Sequence, residues 1–179
     1  MANIGLFFGS DEGSTEAAAK KIQIVLGESN VDVFDITDAT QLDFLAYDIV
    51  ILGIPTWDFG QIQSDWAEFW SDAEAIDYSG KRVALFGLGD QFGYGDFFLD
   101  AMGMLHDLIR GNGASLVGYW SDRGYEYDAS KAKIDGKSLF VGLALDEDQQ
   151  AELSDERIYA WCVQIVGELG LHYELTQLE

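Results

Sequence analysis

Hydroxyl residues and glycines are concentrated in residues 9–15, which read Gly-Ser-Asp-Glu-Gly-Ser-Thr. The segment follows a short apolar run at 4–8 and precedes apolar residues at helical spacing. Glycines let a ligand approach the backbone, and the amides at a helix N-terminus favour an anion. The candidate phosphate-binding residues are therefore Ser10, Asp11, Glu12, Gly13, Ser14 and Thr15. An ordinary glycine turn before a helix is the alternative interpretation.

The charges in this first loop are unusual for an anion site. No Lys or Arg occurs between residues 3 and 19, so hydroxyls, amides and the helix dipole would have to bind a phosphate by themselves. Glu12 places a carboxylate inside the segment that should receive the anion. The sequence therefore predicts a phosphate site that uses neutral donors and contains one opposing charge.

Aromatic residues stand beside acids and glycines in two further loops, at 54–62 and 88–96. Trp57 and Tyr94 do not belong to apolar helix faces, so they are candidates to stack on a flat ligand. Coverage of the core edge by these rings is the alternative. Four other aromatic residues lie at helical spacing and are predicted to be core: Trp66, Phe69, Trp70 and Trp161.

Strands alternate with helices along the chain, which predicts an α/β fold with an open parallel sheet and helices on both faces. The predicted strands are 4–8, 31–36, 48–53, 82–88 and 115–119, the last resuming at 139–145. A short helix over 38–45 is expected to bury Leu42 and Leu45, and Ser64 is the expected N-cap of the next helix. The three loops 9–15, 54–62 and 88–96 then follow the carboxyl ends of strands, where such sheets bind ligands.

A polar segment at 121–138 is predicted to be an insertion that splits the fifth strand within a single domain over 1–179. One interpretation is a surface excursion that stabilises this strand. The other is a partner-recognition element that uses Arg123, Tyr125 and Tyr127. The sequence does not choose between them.

The formal net charge of −22 over 179 residues disfavours nucleic acid and anionic membranes as partners, because phosphates would be repelled. It favours a basic protein partner or solubility at high salt. With no secretory signal or transmembrane run, a soluble cytoplasmic protein is expected. Cys162 is predicted to be an inert core thiol, and His106 a solvated side chain. The acidic run 146–148 lacks the ligand pattern of a calcium loop.

Several motifs together resemble a long-chain flavodoxin over nearly the whole chain. Besides the first loop they are Pro55-Thr-Trp57, Gly60, Gln63-Ser-Asp-Trp66, Gly87-Leu-Gly-Asp-Gln91, Gly93-Tyr94, Gly118-Tyr-Trp-Ser121, Gly124-Tyr125, Gly142-Leu-Ala-Leu-Asp-Glu-Asp148 and Asp155-Glu-Arg157. The resemblance implies a three-layer, flavodoxin-like fold with five parallel strands in the order 2-1-3-4-5. That order is the flavodoxin family's own and not a result of periodicity.

The same resemblance implies bound FMN, with its phosphate on the first loop and its ring between Trp57 and Tyr94. A peptide between Asp58 and Phe59 would turn to accept a hydrogen bond from the flavin N5 proton. Asp90 is the stronger and Asp146 the weaker candidate for a contact at the flavin edge. Beyond the first loop, the implied cofactor-binding residues are Pro55, Thr56, Trp57, Asp58, Phe59, Gly60, Leu88, Gly89, Asp90, Tyr94 and Asp146.

The resemblance also implies a low-potential one-electron carrier that cycles FMN between semiquinone and hydroquinone, and not an enzyme. Its expected partners are redox proteins with basic surfaces, such as ferredoxin–NADP reductase, photosystem I, nitrogenase reductase or other reductases. The protein itself is expected to be a monomer. An NAD(P)H-dependent quinone reductase and a non-redox signalling domain of the same fold are the alternatives. Flavodoxins usually carry threonine where this chain has Glu12, so we expect Glu12 to point outward and FMN binding to persist.

Overall fold

A parallel β-sheet runs through the middle of the computed structural model, which describes residues 2–179. The strands are β1 Ile4–Phe8, β2 Val31–Asp35, β3 Ile49–Trp57, β4 Gln61–Ile62, β5 Arg82–Leu88, β6 Ser115–Val117, β7 Trp120–Ser121, β8 Leu139–Phe140 and β9 Leu143–Leu145. The α-helices are α1 Ser14–Leu26, α2 Gln41–Leu45, α3 Ser64–Ala75, α4 Asp100–Gly111 and α5 Ser154–Leu169. Among the described residues, no helix is long and apolar enough to cross a bilayer.

The sheet order is β2-β1-β3-β5-β6, which confirms the predicted order 2-1-3-4-5. Both β6 and β9 pair in parallel with β5, at Ala84 with Val117 and at Phe86 with Leu143. The fifth strand is therefore split, as predicted. Its second piece begins at Leu143 and not at 139, because residues 139–140 pair antiparallel with residues 120–121 instead.

Each face of the sheet carries its own core. In β1, Ile4, Leu6 and Phe8 point to the face covered by α1 and α5, and Phe7 points to the face covered by α2, α3 and α4. This alternation follows from the twofold period of a strand. Trp66, Phe69 and Trp161 are buried as predicted, and Trp70 is half-buried.

Two predictions about helices were wrong. In α2, Leu42 and Leu45 are exposed, and Phe44 between them is buried and stacked on Phe7 with ring centroids 3.9 Å apart. In α3, the N-cap is Gln63 and not Ser64, because the Gln63 side chain accepts a hydrogen bond from the Trp66 amide at 3.2 Å. Both errors shift a helix face or end by one residue.

The insertion packs against the body of the protein through its aromatic residues. Tyr125 donates its hydroxyl hydrogen to the carbonyl of Ala144 at 2.6 Å, and the Arg157 guanidinium lies 4.1 Å from its ring centroid. Tyr127 donates to the Asp122 carboxylate at 2.8 Å. These contacts support the structural interpretation of the insertion for both tyrosines, since their hydroxyls already have partners.

The prediction that His106 is solvated was wrong. Its side chain is buried, and its two ring nitrogens lie 2.7 Å from the Tyr119 hydroxyl and 3.1 Å from the Asp107 carboxylate. Burial lowers the pKa of His106, against the opposing effect of Asp107. Cys162 is buried as predicted, and burial raises the pKa of its thiol to about 12.

We expect His106 to make the protein less stable as the pH falls below about 6.5. The unfolded chain binds a proton on this residue more readily than the folded chain, so the free energy of unfolding drops by at most about 1.4 kcal/mol per pH unit from this group. Urea unfolding between pH 7 and 5 would measure the slope. His106→Gln should flatten it, and His172→Gln, in the exposed tail, should not.

Candidate functional site

A cleft of about 300 Å³ lies at the carboxyl ends of β1, β3 and β5. It brings the three loops predicted from the sequence to one place, together with the loop after β9. It is lined by Ser10, Asp11, Glu12, Ser14, Thr15, Pro55, Thr56, Trp57, Asp58, Leu88, Gly89, Asp90, Tyr94, Phe97, Glu147 and Asp148. None of these residues is a lysine or an arginine.

The first loop is shaped as an anion site. Ser10 accepts a hydrogen bond from the Gly13 amide at 2.9 Å, which leaves its own hydroxyl hydrogen available to a ligand. Gly13 has a φ of 92°, a conformation that favours glycine, and α1 begins at the next residue. Thr15 is buried at the start of α1. The loop therefore presents hydroxyls and free amides at the positive end of a helix dipole.

The two acids of this loop behave differently. Asp11 is fastened to α3, because its carboxylate accepts hydrogen bonds from Gln63 Nε2 at 2.9 Å and from the Ser64 hydroxyl at 3.3 Å. Glu12 is exposed and makes no hydrogen bond with another described residue. Asp11 therefore braces the loop, and Glu12 is free to turn towards solvent.

The turn after β3 has two residues in the left-handed backbone region. Thr56 and Trp57 pair with Ile62 and Gln61 of β4, so the intervening residues form a tight hairpin turn. Asp58 has a φ of 43° and Gly60 a φ of 84°. Aspartate is one of the few side chains that tolerate this region, so the turn holds Asp58 without needing a second glycine.

Asp90 organises the loop after β5. Its carboxylate accepts hydrogen bonds from the amides of Phe92 at 3.0 Å and Gly93 at 2.8 Å, and from Gln149 Nε2 at 3.0 Å. Burial opposes ionisation, but these hydrogen bonds outweigh it and lower the pKa of Asp90. Asp90 is therefore a fixed negative charge at the cleft wall.

Comparison with known proteins agrees with this geometry. The sequence profile of the family described as Flavodoxin matches residues 6–161. Flavodoxin 2 of Salmonella typhi is 52% identical over 171 residues, which cover 96% of this chain and 99% of that protein. Flavodoxin 2 of Escherichia coli K12 is 51% identical over the same shares of each chain. The chain belongs to the flavodoxin family.

Solved flavodoxin structures share the fold. A Fusobacterium nucleatum flavodoxin bound to flavin mononucleotide superposes with a TM-score of 0.87 at 30% identity, covering 94% of this chain and 99% of that one. A K13G mutant of that protein, also bound to flavin mononucleotide, gives a TM-score of 0.86 at 31% identity over 92% of this chain and 95% of that one. The architecture of this flavodoxin is thus that of its relatives.

The walls of the flavodoxin cleft are aromatic. Trp57 and Tyr94 both line it, and Tyr94 keeps 40% of its surface exposed. The indole N–H of Trp57 is buried and donates to no other described residue. Phe59 does not line the cleft, is 71% exposed, and packs edge-on against Tyr94 and Phe97, which do.

Four predicted residues do not line the cleft of this flavodoxin: Gly13, Phe59, Gly60 and Asp146. Asp146 is fully buried, and its carboxylate accepts hydrogen bonds from the backbone amides of residues 91, 148 and 149 and from Gln91 Nε2. It organises two loops and its oxygens accept hydrogen bonds within the protein, so the structure gives no support to the expected flavin contact of this side chain.

Sequence reasoning missed three residues that line the cleft: Phe97, Glu147 and Asp148. Burial first, and then the charges of Asp90, Asp146, Glu12 and Glu147, raise the pKa of Asp148. The position of Glu147 and Asp148 after the fifth strand was a usable signal, because the carboxyl ends of parallel strands meet at one edge of the sheet. Across residues 2–179 no group of His, Cys, Asp and Glu is arranged to hold a metal ion.

Proposed function

We propose that this flavodoxin binds FMN in the cleft, with the phosphate on residues 10–15 and the flavin ring between Trp57 and Tyr94. As a member of its family the protein is a low-potential one-electron carrier and not an enzyme. The single observation that carries the site assignment is the junction of a hydroxyl-rich anion loop with two aromatic walls in one cleft.

The donor set fits FMN. A phosphate dianion needs several hydrogen-bond donors, and the loop supplies the hydroxyls of Ser10, Ser14 and Thr15 with the amides at the start of α1. A flat, largely apolar ring needs flanking aromatic surfaces, which Trp57 and Tyr94 supply. The relatives crystallised with flavin mononucleotide support the same ligand.

FMN when bound supplies a ring that takes up and releases single electrons. The acidic residues around the cleft determine how readily a bound flavin would accept its second electron. Asp58, Asp90 and Asp148 line the cleft without a lysine or arginine among its residues. Their charges oppose any negative charge that develops on the ring, because Coulomb repulsion is strong in a partly desolvated cleft. A low potential follows.

We propose further that the partners are redox proteins with a basic docking surface, including reductases such as ferredoxin–NADP reductase, photosystem I-like or nitrogenase reductase-like proteins. The net charge of −22 and the acidic cleft rim would steer such partners towards the exposed edge of the ring. The same charge disfavours nucleic acid, anionic membranes and self-association, which supports a monomer. A cytoplasmic location is part of the same proposal. The two cores that share one sheet support a single domain over 1–179.

The visible spectrum of the purified protein with added FMN tests the carrier function. We expect flavin bands, quenching of flavin fluorescence, and stepwise reduction through a half-reduced form. A protein that takes up no FMN would overturn the proposal. Steady-state oxidation of NADPH by the protein alone would favour a quinone reductase instead. A Tyr94 ring stacked on the outer face of the flavin, as proposed, argues against that alternative because it would block a nicotinamide.

Replacing Glu12 with threonine is expected to tighten FMN binding by about 1–2 kcal/mol, from one regained hydrogen bond and a lost repulsion. Fluorescence titration of the apoprotein at low and high salt would measure the gain, which should shrink as salt screens the charge. Glu28→Thr, an exposed acid at the far end of α1, is the matched control and should change nothing. Equal affinities for wild type and Glu12→Thr at all salt concentrations would contradict this account of the loop.

A further inference from the structure

The insertion meets the flavin-side turn at the N-terminus of α4. Asp100, the first residue of α4, is 3% exposed, and its Oδ1 accepts a hydrogen bond from the backbone amide of Lys131 at 2.8 Å. One turn further along, the Lys131 carbonyl packs against Gly103, and a Cβ at position 103 would clash with the carbonyl oxygen. The insertion backbone therefore lies directly on the first turn of α4.

The other oxygen of the same carboxylate faces the turn after β3. A Cβ placed on Gly60 would lie 2.8 Å from Asp100 Oδ2 and 3.3 Å from a ring carbon of Phe97. The turn closes over the carboxylate, in a backbone conformation with positive φ at both Asp58 and Gly60. The Asp100 carboxylate and the turn are therefore in close contact.

A third contact fixes this junction. The Thr56 hydroxyl, at the end of β3, accepts a hydrogen bond from the Ala101 amide at 3.0 Å. The residue before Asp100, Leu99, is fully buried with a φ of 60°, which a leucine adopts only when its surroundings enforce it.

A buried carboxylate costs free energy unless it is well hydrogen-bonded. Burial raises the pKa of Asp100, although the Lys131 amide and ammonium act in the opposite direction. The junction is thus a rigid one.

We propose that Asp100 is a positioning residue through which the insertion holds the turn at 58–60 and so sets the peptide between Asp58 and Phe59 beside the flavin. Asp100 does not line the cleft, so it acts through the turn and not on the ligand. This inference rests on the proposed function. It gives the insertion a role in tuning the cofactor that is separate from partner recognition.

The consequence is a change in the balance between the two one-electron steps. The turning peptide is the group expected to stabilise the half-reduced flavin. Releasing the turn leaves FMN bound but reduces that selective stabilisation, so the maximum yield of half-reduced protein falls. A merely structural role for Asp100 would instead lower stability and leave the ratio of the two steps unchanged.

The experiment compares three variants of the FMN-loaded protein in a spectroscopic redox titration. Asp100→Ala should lower the equilibrium constant for forming half-reduced flavin by about fivefold or more. Asp100→Asn keeps an oxygen that accepts the Lys131 amide and should rescue most of this loss. Asp107→Asn, which removes the same charge from the exposed face of α4, is the matched control and should match wild type.

Two further measurements test the route through the insertion. Lys131→Pro removes the amide donor and leaves the Asp100 carboxylate in place. It should lower the equilibrium constant for forming half-reduced flavin, as Asp100→Ala does. The double variant should lower that constant no further than Asp100→Ala alone. Limited trypsin digestion should cut after Lys131 faster in Asp100→Ala than in Asp107→Asn, because the insertion is released there. If Lys131→Pro does not fold, the comparison of Asp100→Ala with Asp100→Asn and the trypsin digestion test the inference.

A wild-type constant in Asp100→Ala would overturn the inference, as would a loss of FMN affinity that is equal in every redox state. Unchanged trypsin cleavage would overturn the link to the insertion. A wild-type protein that takes up no FMN would be a failure of the proposed function and not of this inference, so the two outcomes are distinguishable.

Discussion

Replacing Asp146 with alanine is expected to destabilise the apoprotein by about 3–5 kcal/mol and to weaken FMN binding strongly. The side chain is fully buried, and its two oxygens accept the amides of Gln91, Asp148 and Gln149 and the Gln91 side chain. Its removal leaves several buried donors without an acceptor, and each such donor costs about 1–3 kcal/mol unless water reaches it. Urea unfolding of the apoprotein measures the loss.

FMN affinity should fall in the same variant because Asp146 joins the loop after β5 to the loop after β9, and both line the cleft. Gln91 carries this link onward, since its Oε1 accepts the Glu126 amide of the insertion at 2.6 Å. Asp135→Ala, which removes an exposed acid from the insertion, is the matched control. A free energy of unfolding for Asp146→Ala within about 1 kcal/mol of wild type would refute this role, since surface substitutions cost no more than that.

The second large effect is expected at Trp66, where substitution by alanine should cost about 3–5 kcal/mol through cavity formation. The indole is fully buried, and its N–H donates to the Gly53 carbonyl at 2.9 Å. That carbonyl also accepts the Gly9 amide at 3.2 Å. A Cβ on Gly9 would lie 2.6 Å from indole Cδ1, so the start of the phosphate loop rests on this ring.

Trp66→Ala should therefore weaken FMN binding as well as stability, because the support beneath Gly9 is lost. Trp66→Phe keeps most of the volume, and the Gly53 carbonyl keeps its bond from Gly9, so this variant should lose only about 1 kcal/mol. Trp70→Ala, one turn further along the same helix and half-buried, is the control. Equal losses of FMN affinity at Trp66 and Trp70 would show that the indole has no special role beneath the loop.

The binding loops could be read from the sequence because their signals are local. Gly13 and the hydroxyls of residues 10–15 stand between an apolar strand and an apolar helix stripe, and strand and helix periodicities differ clearly there. Trp57 ends β3 and Tyr94 lies in the loop after β5. Their place at one edge of the sheet therefore follows from parallel topology. The resemblance to flavodoxins supplied the strand order and the ligand.

Several of the wrong or unsupported expectations have their origin in contacts between distant segments. His106 was expected in solvent because it lies off the apolar stripe of its helix, yet it is buried and bonded to Tyr119, 13 residues away. The resemblance to flavodoxins made Asp146 the weaker candidate for the flavin edge, yet its oxygens accept hydrogen bonds from amides up to 55 residues away. Leu42 and Leu45 fit a helix pattern as well as Phe44 does, and only the neighbouring rings of Phe7 and Phe69 select the phenylalanine.

The sequence by itself determined the alternation of strands and helices, the split fifth strand, the three cleft loops and the acidic character of the surface, because each of these depends on residue types a few positions apart. The tertiary structure alone decided which acids face the cleft and which are buried as braces. Asp90 and Asp148 line it, and Asp100 and Asp146 hold loops together, although all four are aspartates close to strand or helix ends. Their roles differ because a carboxylate's partners are set by the backbone amides that folding brings beside it.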